Sequence, residues 1–124
     1  MADLKPTEWI GSALDAVRAL PEEVRRDFGY AIHLAQLGFH HGAANQLRGE
    51  FAELVEVIDE YDGNAYRVIY TVKLRGVVYV LHVFQKKSTR GFATPKKELA
   101  VIRERWKRAK AHYAEQYADR REHD

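Results

Sequence analysis

The stretch from residue 77 to 95, VVYVLHVFQKKSTRGFATP, constrains the fold more than any other part of this chain. Its first half is rich in the β-branched and aromatic residues that suit a pleated surface. Alternation separates Val78, Val80, His82, Phe84 and Lys86 from Val77, Tyr79, Leu81, Val83 and Gln85, and both sets are largely apolar. A strand apolar on both faces must be covered on both, so the fold needs a layer above it and a layer below. The strand ends abruptly in Lys86, Lys87 and Arg90. Thr94-Pro95 then announces a helix, with Thr as N-cap and Pro at the first helical position, where its missing N–H costs nothing. A buried strand that delivers two adjacent lysines ahead of a basic helix points to a site for a polyanion.

The preceding residues supply the layers. Leu4 to Ile10 reads as a first strand that Pro6 confines to a sheet edge. Ser12 with Asp15 three residues on resembles a capping box and opens a short helix with Leu14 and Val17 inward. Pro21-Glu22-Glu23 starts a second helix, placing Val24, Phe28, Ala31 and Ala35 on one stripe and Gly38 at the C-terminal cap. Two amphipathic helices in succession pack as a hairpin on something apolar. Phe39 to Gly49 reads as a loop. Ala52–Tyr61, Ala65–Arg75 and Val77–Lys86 then form an antiparallel meander, reversed at Asp62-Gly63-Asn64 and at Arg75-Gly76. On the middle strand, Arg67, Lys73 and Arg75 share a face with Ile69 and Thr71. The last helix, from Pro95 to about Tyr117, buries Leu99, Ile102, Trp106, Ala109 and Tyr113, while Arg103, Lys107 and Lys110 line another face. Residues 118–124 are nearly all polar or charged and are expected to fray. The reading is one α+β domain spanning residues 1–124: a small antiparallel sheet with an N-terminal helical hairpin and a C-terminal helix packed on it.

Composition closes off several classes. With 124 residues, no cysteine and no run of 18 apolar residues, neither a disulfide framework nor a membrane span is indicated. No secretory leader is visible, so a cytoplasmic protein is expected. The net charge of +2 hides a segregation: residues 1–60 carry 5 Lys and Arg against 11 Asp and Glu, and residues 61–124 carry 15 against 7. Such asymmetry suits one surface for an anionic partner. His33, His40 and His41 match no zinc spacing, and neither a metal nor another cofactor is expected.

YRVIY on the middle strand and YVLHVFQKKSTRGFATPKKEL at its end, with WIGSALDAVRALPEEVRRDFGYAIHLAQLG before them, resemble the RelE/ParE toxin superfamily. Within it the chain is most similar to the phage-derived, HigB-type branch of bacterial type II toxin–antitoxin systems. The resemblance implies a RelE-like fold and a toxin that blocks translation by cutting mRNA on the ribosome. It also implies a cognate antitoxin partner, commonly of helix-turn-helix type. ParE-like relatives instead poison DNA gyrase without nuclease activity, and a non-catalytic nucleic-acid-binding domain is a third expectation, since fold alone does not set function.

Metal-free RNA cleavage needs a base for the 2′-hydroxyl, an acid for the leaving 5′-oxygen, and cations for the phosphate. The resemblance places Arg67 where the nucleases carry a strand arginine, in a Tyr-Arg context; a structural arginine paired with Glu53 or Glu56 is the alternative. Lys86 and Lys87 match the family's lysine pair. Adjacent ammonium groups disfavour each other's charge, so one amine can serve as a base, or the pair can simply bind backbone. His82 is a candidate proton shuttle or a hydrogen-bonded core histidine. Lys73, Arg75, Arg90, Lys96, Lys97, Arg103 and Lys107 are candidates for RNA backbone contacts. Tyr70, on the face opposite Arg67, reads as core, as do Trp106, Tyr113 and Trp9.

Overall fold

The computed structural model describes residues 4–86 and 94–117. In chain order its elements are β1 (Thr7–Trp9), α1 (Ala13–Arg18), α2 (Glu22–Gln36), β2 (Ala44–Gln46), a single 3-10 turn (Gly49–Phe51), β3 (Val55–Tyr61), β4 (Asn64–Thr71), β5 (Val78–Lys86) and α3 (Lys96–Gln116). They form the expected α+β fold around a five-stranded sheet of order β1-β5-β4-β3-β2. The helical hairpin covers one face, where Val17, Val24, Phe28 and Ala31 meet Val57, Val68, Tyr70, Val78 and Val80. Helix α3 covers the other, packing Ile102, Trp106, Ala109 and Tyr113 on Ile69, Tyr79, Leu81 and Phe84. Burying each large side chain of that stripe contributes roughly 1.5–3 kcal/mol, enough to hold an otherwise very polar helix in place.

The meander β3-β4-β5 is antiparallel throughout. Its first reversal is a two-residue loop in which Asp62 and Gly63 have φ of 54° and 78° between the paired Tyr61 and Asn64. That is the type I′ geometry, whose twist suits a hairpin. Gly38, with φ of 90°, ends α2 as expected, and the Phe39 N–H reaches back to the Leu34 carbonyl at 2.8 Å.

Several expectations need correction. The edge strand β1 pairs with β5 in parallel, not antiparallel, and the presumed loop from Phe39 to Gly49 contains β2, which extends the sheet beyond β3. Strand β4 stops at Thr71, four residues before Arg75. Between Ile69↔His82 and Tyr70↔Val80 the pairing skips Leu81, a β-bulge. Val78 and Val80 therefore face the helical hairpin, whereas His82 and Phe84 join Tyr79 and Leu81 on the α3 side. The uninterrupted alternation read along this strand does not hold. The starts of all three helices also differ. Ser12 and Thr94 make no capping bond, and Pro21 and Pro95 occupy the N-cap positions with ψ of 145° and 147°.

Candidate nucleic-acid interface

The bulge decides what shares a face with Arg67. Arg67 pairs with Phe84, and Ala65 with Lys86, so beyond the bulge the alternate residues His82, Phe84 and Lys86 are aligned with Arg67 on the α3 side of the sheet. Arg67 is 3% exposed and Lys86 8%, unusual burial for cations. Arg67 Nη1 donates to Glu56 Oε2 at 3.0 Å and to Thr94 Oγ1 at 3.3 Å. Glu56 sits on β3 opposite Ile69, so this ion pair ties β3 to β4 and, through Thr94, to the start of α3. A carboxylate this deeply placed is stable only because the guanidinium satisfies it.

His82 is held at both nitrogens. Arg105 Nη1 approaches Nδ1 at 3.3 Å and also donates to the Leu81 carbonyl at 3.0 Å. An arginine can only donate, so Nδ1 is unprotonated and the ring hydrogen is on Nε2, directed at Glu98 Oε2 3.2 Å away. Burial pushes the imidazole below its usual range, Arg105 adds to that, and the Glu98 carboxylate opposes it. His82 is neutral at pH 7. Phe84 stacks on its ring with centroids 4.8 Å apart. Arg105 Nη2 also donates to Ser12 Oγ at 3.0 Å, which is where the hydroxyl expected to cap α1 is engaged.

The structure thus brings Arg67, His82 and Lys86 together at the end of the sheet where α3 begins. Lys96 and Lys97 are exposed on the first turn of α3, two and three residues beyond Thr94. Lys87 and Arg90 lie outside the described residues. Lys73 and Arg75 are exposed but lie beyond Thr71, roughly 13 Å or more along β4 from Arg67 at about 3.3 Å per residue. The Arg75 carbonyl is bound there by the Tyr113 hydroxyl at 2.8 Å, near the other end of α3. No single cleft combines Arg67 with Lys73 and Arg75. Arg103 faces outward and makes a bidentate pair with Glu50 at 2.7 and 3.1 Å, while Lys107 is exposed on the same helix. Glu56, Glu98 and Arg105 complete the cluster. Glu56 could be read from the sequence as an ion-pair partner, whereas the positions of Glu98 and Arg105 depend on how α3 crosses the sheet.

Among the described residues, no helix is long and apolar enough to cross a membrane. In structure, the chain is similar to the toxin RelE of E. coli, solved as a mutant in the free state. The TM-score is 0.59 at 21% identity, covering 83% of this chain and 98% of that one. It is also similar to a chain of the toxin–antitoxin complex RelBE2 from Mycobacterium tuberculosis, with a TM-score of 0.46 at 17% identity, covering 71% of this chain and 98% of that one. A search of curated proteins finds no significant match. The first likeness establishes a RelE-type fold. The family model described as phage derived protein Gp49-like matches residues 15–107, and the chain belongs to that family.

Proposed function

We propose that the protein is the toxin of a type II toxin–antitoxin pair that stops translation by cutting mRNA, without metal, on the ribosome in the cytoplasm. The observation that carries this reading is the convergence of Arg67, His82 and Lys86 on one face beneath the start of α3, with Lys96 and Lys97 exposed beside it. Its fold is that of a protein named as a toxin, RelE of E. coli. In this reading Lys86 and Lys87 take the scissile phosphate and neutralise the charge that builds on it. A bound phosphate oxygen replaces Thr94 at Arg67, whose 3.3 Å bond to that hydroxyl is a weak one. The neutral His82 imidazole beside the Glu98 carboxylate is suited to passing a proton. Lys96, Lys97 and Lys107 hold flanking backbone, and a small antitoxin of helix-turn-helix type is the partner that restrains the activity.

Induced expression without an antitoxin is the test. Growth should stop, and primer extension should map new 5′ ends within translated reading frames. Lys86→Ala with Lys87→Ala should restore growth and intact transcripts at unchanged protein abundance. Intact mRNA alongside accumulating DNA breaks would replace this reading with gyrase inhibition. Unimpaired growth would leave only nucleic-acid binding.

A further inference from the structure

The side of the sheet opposite Arg67 carries an uncovered apolar face. Among the described residues the large apolar side chains left exposed are Leu4, Tyr30, Leu37, Phe39 and Tyr61, with Tyr30 at 56% and Phe39 at 63%. One such side chain is ordinary, but these adjoin one another along α2. The core stripe of that helix is Val24, Phe28, Ala31 and Ala35, and Tyr30, Leu34 and Leu37 recur at helical spacing on a flank beside it. The bond from the Phe39 N–H to the Leu34 carbonyl folds Phe39 back to the same flank. Leu4 is brought to the end of α2 by Lys5, whose N–H donates to the Gln36 carbonyl and whose carbonyl accepts from Gln36 Nε2 at 2.7 Å. His41 meets Tyr30 edge-on, with centroids 5.8 Å apart, and leaves most of that ring uncovered.

Toward the start of α2 the flank continues, at the same spacing, as Asp27 and Glu23, both exposed. Alternation on β3 puts Asp59 and Tyr61 on the hairpin side with Val57, and Asp59 faces Asp27 there. Partial burial, and then Asp27, hold the Asp59 carboxyl above its usual range. The two arginines of α2 lie off this flank, Arg25 bonded to the Arg18 carbonyl and Arg26 to Glu22. The flank is thus apolar at one end and anionic at the other. It complements a partner that sets Lys or Arg beside its own apolar residues. From Glu23 to Leu37 it runs about 21 Å at 1.5 Å per residue.

We propose that this face docks an amphipathic helix of the cognate antitoxin, about four turns long. Its apolar residues cover Tyr30, Leu37 and Phe39, and a lysine or arginine at one end enters between Asp27 and Asp59. The proposal rests on the toxin reading only in naming the partner. A cation at that place offsets the repulsion between the two carboxylates and favours the ionised Asp59. The apolar end supplies most of the affinity, and the acidic end fixes direction and register. The face lies across the sheet from Arg67, His82 and Lys86, so substitutions on it leave those groups in place.

Calorimetric titration of the purified full chain with the antitoxin encoded beside its gene tests this, alongside growth on co-expression. Tyr30→Asp with Phe39→Asp, both at exposed positions, should weaken binding about 100-fold or more with an unchanged melting temperature. That double variant should still arrest growth, and the antitoxin should no longer relieve it. Asp27→Lys should weaken binding about ten-fold and reduce its dependence on salt. If the double variant loses its melting transition, Asp27→Lys decides alone. No binding to the parent chain, or parent-like affinity in either folded variant, overturns the proposal. A parent chain that is dimeric by light scattering, and monomeric with Tyr30→Asp and Phe39→Asp, assigns the face to a second copy and also overturns it. Binding that both variants weaken, in a chain that leaves growth unimpaired, sinks the toxin reading and keeps the docking face.

Discussion

At the scale of single residues, the structure depends on two arginines that lead away from the surface. Arg67 and Arg105 each take a hydroxyl, Thr94 and Ser12, that local sequence assigns to a helix cap. Capping contributes about 1 kcal/mol. A buried guanidinium left short of acceptors costs more, so the long-range bond prevails over the local one. Glu56 and Arg67 have side chains only 9% and 3% exposed, and removing the carboxylate takes a counter-charge from a buried guanidinium. Glu56→Ala should therefore lower stability by about 3–5 kcal/mol. Glu56→Leu combined with Arg67→Met should recover most of that loss, since the pair repays little beyond its own desolvation. Urea unfolding at constant m-value measures both, and a fully tolerated Glu56→Ala would contradict the assignment.

At the scale of elements, Gly11 joins β1 to α1 where α3 passes. Its φ is +59°, and a Cβ there would stand 2.9 Å from Arg105 Nε. Gly38 has φ of +90° with nothing within 4 Å of the same position. Gly38→Ala should cost about 1–2 kcal/mol from backbone strain alone. Gly11→Ala should cost more, because Arg105 is bound to Leu81, His82 and Ser12 and has little freedom to give way. Equal losses in thermal or urea unfolding would mean that the Arg105 contact is slack. Long, strongly patterned elements were legible from the sequence: α2, α3 and the meander follow from periodicity and from Asp62-Gly63. The three-residue β1 and β2 carry too few side chains to show whether or where they pair. The bulge at Leu81 has no glycine to mark it. It nonetheless aligns His82 and Lys86 with Arg67, so the residues of the candidate site could be named from the chain while their alignment could not.

At the scale of the whole molecule, the acidic first half is folded partly against itself. Asp59 on β3 faces the carboxyl of Asp27 on α2, with Glu23 one turn away on the same helix. Partial burial, then Asp27, raise the Asp59 carboxyl from 3.8 to about 6. The folded state therefore holds a proton that the unfolded chain releases near pH 4. The contribution to stability is fully present below that pH and is lost as pH rises through about 6. Above it the ionised cluster repels itself, an effect that solvent screening at this half-exposed site limits to less than about 1 kcal/mol. Asp59→Asn should raise the melting temperature at pH 7 and flatten its decline between pH 4 and 6, with added salt reducing the difference between variant and parent. A variant whose pH profile runs parallel to the parent's would show that the acidic pair does not couple folding to protons. The same substitution leaves Arg67, His82 and Lys86 untouched. Growth arrest should persist in Asp59→Asn, which separates the acidic face of the fold from the cationic end where the proposed chemistry resides.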